Sequence, residues 1–511
     1  MTKYLPLNKV IPVMLLYSII TIIGMYHHEL WFDEVQHWLI ARDSRSFFDL
    51  FSNRYNDDHV PLWKILLFII NHFISGNPFA IQVFHLIIIN ISVFIFLRCA
   101  PYNLIAKMLI IFGYYFIFEY SILCRNYALG ILFLFIVCTL LSKPEKNLIK
   151  IGILLVLMCS TQEFFGFASF GIFLYLLYYN YEQKSLNWFF FIFTCLFLAG
   201  FIIVAYQLLH ISADKNNVSL GNVSWLAIHN VSFAVHGIDK GFIPFPPLHD
   251  PNFWNRHLFE SWSSYVKVPV SLLFLTYPVW VIRNSRKALV FYVGASLFLL
   301  LFLTVSQMTG SRYFGMFFIY FIAAIWLASH EGANVLLINN SQKRSKINIA
   351  AVALFYIILV TQVLAGAYIY EQDYTRPFSQ GKNTVQYIRD QHLDRLPIVV
   401  DGYNAGPVLS AYFRHPVYYL DIDSEGSVFI TKNTVNSTGK IPLMEEIKQS
   451  KYLASLNEFI LITNRANCGE EIDDSSMFQF NKLQSFQNAI IISENYSVYK
   501  AARTPLNTAH Q

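Results

Sequence analysis

The sequence predicts a helical membrane protein that crosses the bilayer many times and ends in a smaller α/β domain. Of its 511 residues, 55% are hydrophobic and only 14% are charged, whereas about a quarter of the residues in soluble domains are charged. Long apolar runs recur up to residue 370, and the composition becomes polar from residue 371. The net charge of +5 is small for this length and forms no basic stripe, so the composition gives no indication of nucleic-acid binding.

About eleven apolar runs are candidate transmembrane helices. Several are shorter than the roughly 20 residues that a spanning helix needs, so their boundaries are approximate. The runs cover 10–26, 78–97, 103–119, 127–142, 148–162, 164–181, 187–209, 264–282, 289–308, 313–329 and 348–370. The run 62–74 is short and contains polar residues, which predicts a helix lying in the membrane interface, and 34–53 predicts a second interfacial stretch.

Basic residues set the predicted orientation. If the N-terminus with Lys3 and Lys9 is cytoplasmic, every short loop assigned to the inside is basic, as the positive-inside rule requires. The outer face then receives the first outer loop 27–77, the long loop 210–262 and everything after 371. This assignment of an inner N-terminus and a periplasmic C-terminal domain depends on 62–74 not crossing the membrane.

The residues from 371 to 511 predict a separate outer domain. Short β-rich runs, "LPIVVDG", "PVYYLDID", "EFILITNR" and "AIIISENYSVYK", alternate with the helical patterns "GKNTVQYIRDQHL", "GPVLSAYF" and "LMEEIKQSKYLASL". This alternation is typical of an α/β fold. The segment contains no Gly-rich phosphate loop and no catalytic pair, so we assign the chemistry to residues 1–370.

Ionisable residues collect at the predicted outer ends of the helices, where charges tend to mark functional sites. The first outer loop opens with "HHELWFDEVQHW", in which Asp33 and Glu34 are adjacent. Cations follow at the outer ends of other segments: Lys64, Arg125 and Arg312. A carboxylate that accepts the proton of an attacking hydroxyl, with cations that neutralise a departing phosphate, suits glycosyl transfer from a lipid phosphate.

The same residues resemble those of a known family. A long first outer loop beginning "WFDE", two interfacial helices, the entry "HVPLW", the turn "EYSILCRNYALG" and an outer C-terminal domain resemble the GT-C superfamily of membrane glycosyltransferases. The likeness is greatest to lipid A aminoarabinose transferases and protein O-mannosyltransferases, with the general shape also resembling phage-type O-antigen glucosyltransferases. It covers residues 1–370. Where the family pattern "PPL" has its first proline, this sequence has Val60. This departure from the pattern weakens the alignment at His59 and Lys64.

The resemblance implies an enzyme that uses a polyprenyl-phosphate sugar, such as an undecaprenyl-linked one, in a bacterial inner membrane. Asp33 is the implied catalytic base, with Glu34 as a supporting carboxylate, because the family's base is the aspartate of the first-loop Asp-Glu pair. Arg125, Arg312 and Lys64 are the predicted ligands of the donor phosphate. Weaker substrate-binding candidates are His59, Glu119, Glu163 and Tyr127. With one base and no covalent nucleophile, single displacement with inversion is expected. The acceptor is taken to be a lipid-linked or surface glycan such as lipopolysaccharide O-antigen, and the sugar to be glucose.

Several alternatives remain open at this point. Asp33 and Glu34 are also suited to capping the helix that follows them. Arg125 is also suited to pairing with Glu119, and Lys64 and Arg312 to anchoring at the membrane interface. A divalent metal held by His27, His28, Glu29 and Asp33 is possible but not favoured, and no other cofactor is expected. Other functions that fit are a lipid A or protein glycosyltransferase of the same fold, and a polysaccharide transporter or flippase without chemistry.

Overall fold

A computed structural model gives the fold. It describes residues 4–51, 61–184, 187–214, 231–232, 234–248, 250, 252–333, 346–402, 405–428, 442–465 and 477–504. The predicted site residue His59, together with Asp57 and Asp58, lies outside the described residues.

The chain packs into two compact units. The first is composed of Met1–Gly24, Asp58–Leu62 and Phe84–Glu371. The second is composed of Met25–Asp57, Trp63–Val83 and Gln372–Gln511. The predicted first outer loop therefore contributes most of its residues to the same unit as the C-terminal segment.

In the described residues up to 375, all regular structure is helical. Its helices are α1 Leu7–His27, α2 Phe32–Asp43, α3 Pro61–Phe73, α4 Phe79–Cys99, α5 Leu104–Ile111, α6 Tyr127–Leu140, α7 Pro144–Cys159, α8 Glu163–Gln183, α9 Trp188–Asp214, α10 Ile238–Phe242, α11 Ser264–Ile282, α12 Arg286–Ser306, α13 Ser311–His330 and α14 Lys346–Thr375. Among the described residues, seven helices are long and apolar enough to cross a membrane: all or part of α1, α4, α9, α11, α12, α13 and α14. The polytopic helical fold is confirmed, whereas the expected number of about eleven spans is not.

The predicted span 103–119 is interrupted. Helix α5 ends at Ile111, and a π-helical turn, Tyr115–Glu119, follows it. This turn packs closely against α13, because a Cβ atom added to Gly315 would lie 2.2 Å from the Tyr115 ring. Glycine at 315 thus permits a close approach that any larger residue would block. Single π-helical turns are frequent at functional sites, and this one carries Glu119 at its end.

The predicted stretch 34–53 forms a helix over part of its length. Helix α2 ends at Asp43, and only the short 3₁₀ turn Asp49–Phe51 follows within the described residues. The predicted interfacial run 62–74 forms helix α3. One side of α3 is apolar and exposed, with Phe73 78% exposed, which suits a helix at a lipid surface.

The C-terminal segment contains a six-stranded mixed sheet, as the α/β prediction required. Its strands are β1 Ile398–Asp401, β2 Val417–Tyr419, β3 Ser424–Gly426, β4 Glu458–Thr463, β5 Phe478–Phe486 and β6 Tyr496–Arg503, in the order β3-β2-β1-β4-β6-β5. Strand β1 is central and pairs in parallel with β2 and β4, while the outer pairs are antiparallel. The helices are Gly381–Asp390, Ala405–Phe413, Leu443–Gln449 and Lys451–Ala454. One apolar cluster covers each face of the sheet.

Candidate functional site

Helix α2 starts with the adjacent acids Asp33 and Glu34 in its first turn. The backbone N–H of Trp31, the residue before the helix, donates to Glu34 Oε2 at 3.1 Å. A glutamate at the third helical position that accepts from the capping residue is half of a capping box, and acids are favoured in a first turn. The local sequence therefore explains why a helix begins here and why Glu34 points back toward its start.

His28 joins Glu34 to a distant carboxylate. Its Nε2 lies 3.0 Å from Glu34 Oε2, and its Nδ1 lies 3.0 Å from Asp373 Oδ2. All three side chains are buried. Although burial lowers it, the carboxylates of Asp373 and Glu34 raise the pKa of His28 from 6.5 to about 10. His28 is therefore a buried cation held between two carboxylates at neutral pH.

A second buried acid holds the first residue of α2. Glu494 Oε1 accepts from the Phe32 backbone N–H at 2.9 Å. Burial raises the pKa of Glu494 to about 8, with the nearby charges of Asp33 and Glu34 adding to the effect. Burial likewise raises the pKa of Glu29 to about 7. Acids with raised pKa values thus gather around the start of α2.

Asp33 differs from its neighbour Glu34 in its surroundings. Glu34 is fully buried, whereas Asp33 is half-buried. Of the two acids, only Asp33 is partly exposed. Glu34 therefore has the capping role, because it accepts from the Trp31 N–H. Asp33 remains a candidate for a different role.

Lys64 belongs to the same unit as Asp33 and lies in α3, one residue after Trp63. Its side chain is buried, with the residue only 7% exposed. A lysine that anchors at headgroup level extends its ammonium group to the interface, and this lysine does not fit that description. Its predicted role at the donor phosphate stays a prediction.

In the first unit, the structure brings three predicted residues together at the π-helical turn. Glu119 is buried, and Tyr114 donates its hydroxyl to Glu119 Oε2 at 2.7 Å. Arg312 and Arg125 both interact electrostatically with this carboxylate. Two guanidinium groups therefore lie near this one buried carboxylate.

Arg312 is held by aromatic rings. Its guanidinium lies 5.8 Å from the ring centre of Trp254 and 4.9 Å from that of Tyr313. It also donates to the Tyr313 hydroxyl at 3.0 Å. Cation–π contacts orient a guanidinium without neutralising it. Arg312 therefore keeps its charge while its direction is restricted.

Tyr127 and Glu163 lie beside the same cluster. Tyr127 interacts electrostatically with Arg312, Arg125 and Glu163. Glu163 is buried and accepts from Gln162 Nε2 at 2.9 Å, and Gln162 in turn accepts from Asn126. Five predicted residues of the first unit, Glu119, Arg125, Tyr127, Glu163 and Arg312, are thus neighbours in the fold, although they are spread over nearly 200 positions of sequence.

The sequence prediction missed residues that contact the site, both at the start of α2 and in the cluster around Glu119. Asp373 and Glu494 hold the start of α2, and Trp254 contacts Arg312. Asp373 had a usable signal, because an acid in the last turn of a long apolar helix is unusual. Glu494 and Trp254 had none, since neither stands out from its polar or aromatic neighbours in the sequence.

In the part of the chain that the structure describes, no group of three or more His, Cys, Asp or Glu side chains is arranged to hold a metal ion. His28, one of the residues considered for metal binding, uses both ring nitrogens on carboxylates. Its environment is that of a buried ion pair.

The fold was compared with known proteins. One similar solved structure is ArnT from Cupriavidus metallidurans in the apo state, with 10% identity and a TM-score of 0.48. Another is ArnT from the same organism bound to undecaprenyl phosphate, with 9% identity and a TM-score of 0.47. Each match covers 96% of this chain and 97% of the other. No family model matches the sequence, and no curated protein matches it. With identities near 10% and TM-scores below 0.5, the likeness assigns no activity to this chain.

Proposed function

We propose that this protein is a membrane glycosyltransferase that moves a sugar from a polyprenyl-phosphate donor to a hydroxyl group of a cell-surface glycan, with inversion. The observation that carries the proposal is the contrast between two adjacent acids. Glu34 is buried and bonded to His28 and to the Trp31 backbone, whereas Asp33 is half-buried. A fixed acid that holds the helix start, beside an accessible acid, is what a positioned general base requires.

The proposed reaction is a single displacement. Asp33 accepts the proton of the acceptor hydroxyl while the hydroxyl oxygen bonds to the anomeric carbon of the sugar. The bond between that carbon and the phosphate oxygen breaks, and the phosphate leaves with the electron pair. Because attack and departure occur on opposite faces of the carbon, the configuration inverts. Glu34 acts through position only, by holding the first turn of α2.

Cations are required to stabilise the departing polyprenyl phosphate. We assign this role to Arg125 and Arg312, with Lys64 as a third cation. Two guanidinium groups that lie near the same buried carboxylate, Glu119, support this assignment, since they bring two cations close together. A guanidinium presents paired N–H groups that match phosphate oxygens and stays protonated at all physiological pH values. Glu163 and Tyr127 border the same cluster and are assigned to substrate binding, and His59 is a further candidate.

The remaining parts of the proposal follow the resemblance of the sequence. The donor is an undecaprenyl-phosphate sugar in a bacterial inner membrane, and the chemistry takes place on the outer face. The sugar is glucose and the acceptor is a lipopolysaccharide O-antigen. The N-terminus is cytoplasmic and residues 371–511 are periplasmic.

The proposal is tested by incubating the purified chain, in lipid nanodiscs, with undecaprenyl-phosphate glucose and lipopolysaccharide. Mass spectrometry should detect undecaprenyl phosphate, and NMR should find the opposite anomeric configuration in the product. An Arg125→Gln/Arg312→Gln double variant should no longer release undecaprenyl phosphate. Arg283→Gln is the matched control, because Arg283 is exposed at the end of α11 and lies against Trp280.

Two results would contradict the proposal. One is that no polyprenyl-phosphate sugar, glucose or other, is consumed by a folded wild-type chain. The other is retention of configuration, which requires a covalent nucleophile and a different assignment of Asp33. If the chain consumes a polyprenyl-phosphate donor with another sugar, the assignment of glucose changes, whereas the proposed mechanism does not.

A further inference from the structure

The long loop predicted at 210–262 contributes to a second cluster of polar residues, whose members are not those assigned above. A cavity of about 520 Å³ lies between α10, the segment 257–267 and the start of α13. Its polar and aromatic lining includes Lys240, His257, His236, Glu260, Trp262 and Phe314. Cavities that bind small molecules have volumes of about 300–1,000 Å³ and a few convergent polar groups.

His257 and Asp239 form a buried pair at the wall of this cavity. His257 Nε2 lies 2.9 Å from Asp239 Oδ2, and both side chains are at most 1% exposed. A carboxylate only accepts, so Nε2 carries the hydrogen and the orientation of the ring is fixed. The other nitrogen, Nδ1, is buried and has no hydrogen-bond partner among the described residues. Leaving such a nitrogen unmatched costs free energy unless a ligand satisfies it.

Lys240 provides positive charge at the same wall. It is 7% exposed, and its Nζ donates to the backbone oxygens of Thr309 at 3.2 Å and Asn255 at 3.4 Å. Neither of these two Nζ bonds goes to a carboxylate. Burial lowers the pKa of Lys240, although the nearby charges of Glu260 and Asp239 act in the opposite direction.

His236 repeats the pattern of His257. One of its ring nitrogens is bonded to Ser232, and its Nε2 is buried without a partner among the described residues. Two histidines that line the cavity thus each have one ring nitrogen without a hydrogen-bond partner among the described residues, and a buried lysine lines the same cavity. These groups match an anionic group together with a hydroxyl.

Trp262 and Glu260 add the features that recognise a sugar. Trp262 is 44% exposed, and its ring lies against Phe259 with ring centres 4.3 Å apart. An exposed indole face offers a flat apolar surface to the C–H face of a sugar ring. The Glu260 carboxylate can accept hydroxyl hydrogens, because an ionised carboxylate has several lone-pair sites.

We propose that this cavity binds a saccharide that carries an anionic group. Lys240 and the imidazolium form of His236 bind the anion, His257 bonds a hydroxyl through Nδ1, and Trp262 packs against the sugar ring. In the reaction proposed above, this saccharide is part of the acceptor, and that assignment rests on the proposed function. The binding itself does not, since it requires neither donor nor turnover.

The test measures binding of methyl β-glucuronide and of its neutral counterpart, methyl β-glucoside, by saturation-transfer NMR without any donor lipid. The glucuronide should bind at least about tenfold more tightly, because a hydrogen bond to a charged group contributes about 1.5–3 kcal/mol. Lys240→Met should weaken the glucuronide about ten- to a hundredfold and the glucoside little. His257→Asn should weaken both sugars alike.

Arg256→Gln is the matched control. Arg256 is in the same loop but pairs with Asp250 on the surface, so both affinities should stay unchanged. If Lys240→Met does not fold, His236→Gln provides the same comparison at a partly exposed site and should also reduce the preference. The proposal is overturned if both sugars bind equally to the wild type, if neither saturates, or if the preference for the glucuronide survives in Lys240→Met or His236→Gln. Release of undecaprenyl phosphate in the earlier assay reports separately on the proposed function.

Discussion

Replacing His28 with glutamine should destabilise the second unit by about 3–5 kcal/mol, the usual cost of breaking a buried ion pair by removing one partner. The structure gives a consistent magnitude. The pKa of His28 rises from 6.5 to about 10 next to Asp373 and Glu34, which corresponds to roughly 4 kcal/mol of stabilisation at pH 7.

The direction of the pH dependence provides a sharper test. Because the pKa is raised in the folded state, the contribution is complete below about pH 6.5 and is lost as the pH rises toward 10. The free-energy difference between wild type and His28→Gln should therefore shrink across that range. It is measured by denaturant unfolding in detergent at several pH values.

His27 is the matched control for this experiment. It is the adjacent histidine, but it is exposed and lies against Tyr374, with ring centres 4.2 Å apart. His27→Gln should change stability by less than about 0.5 kcal/mol. The reasoning is refuted if His28→Gln is as stable as His27→Gln, or if its deficit is the same at pH 6 and pH 10.

Three further predictions concern other parts of the molecule. Arg125→Lys should reduce turnover nearly as much as Arg125→Ala, on the order of tens to a thousandfold, because a point charge does not replace a planar fork; a normal kcat for Arg125→Ala in a labelled-donor assay would leave Arg125 a structural role only. Burial raises the pKa of Glu494 from 4.5 to about 8. The wild type should therefore lose stability relative to Glu494→Gln as the pH rises from about 5 to 8. If the free energies of unfolding of the two proteins change with pH in parallel, this prediction is contradicted. In a cysteine-free background, a cysteine that replaces the exposed Ser424 should react with an impermeant thiol reagent in spheroplasts. A cysteine that replaces the exposed Asn284 should react only after lysis. The opposite pattern would reverse the predicted orientation.

The local sequence was sufficient to predict where α2 begins and which acids it carries. The adjacent acids after Trp31 are a helix-start signal, and the same signal draws attention to Asp33 and Glu34. The partner of His28 was out of reach, because Asp373 lies 345 residues further along the chain. A contact between such distant positions depends on how the elements pack, which one sequence does not contain.

The division of 103–119 also had no sequence signal strong enough to predict it. Its residues are apolar and aromatic almost throughout, and they suit a continuous helix as well as a π-helical turn. The break is explained by packing, since Tyr115 fits against Gly315 of another helix. The burial of Glu119 is therefore a result of tertiary packing, which the sequence of this segment does not indicate.

The sheet shows the same limit in another form. Strands β1, β2 and β4 are apolar runs bounded by turn residues, and the sequence predicted them. Strand β3 has the sequence Ser-Glu-Gly and is mostly exposed, and β5 combines alternating apolar residues with Asn, Lys and Gln. Edge strands of this kind are defined by pairing with a neighbour, so their own residues give a weak signal.

The most direct test of the central claim compares the two adjacent acids by transfer of labelled glucose from undecaprenyl-phosphate glucose. Asp33→Asn keeps the size and hydrogen bonding of the side chain but removes its basicity, so transfer should fall by on the order of a hundredfold or more while the chain folds normally. Glu34→Gln should be less damaging to the chemical step and more damaging to stability, and Asp49→Asn, an acid elsewhere in the same loop, should be near wild type. Near-normal transfer by Asp33→Asn would contradict the assignment of Asp33 as the base, whatever the outcome for Glu34.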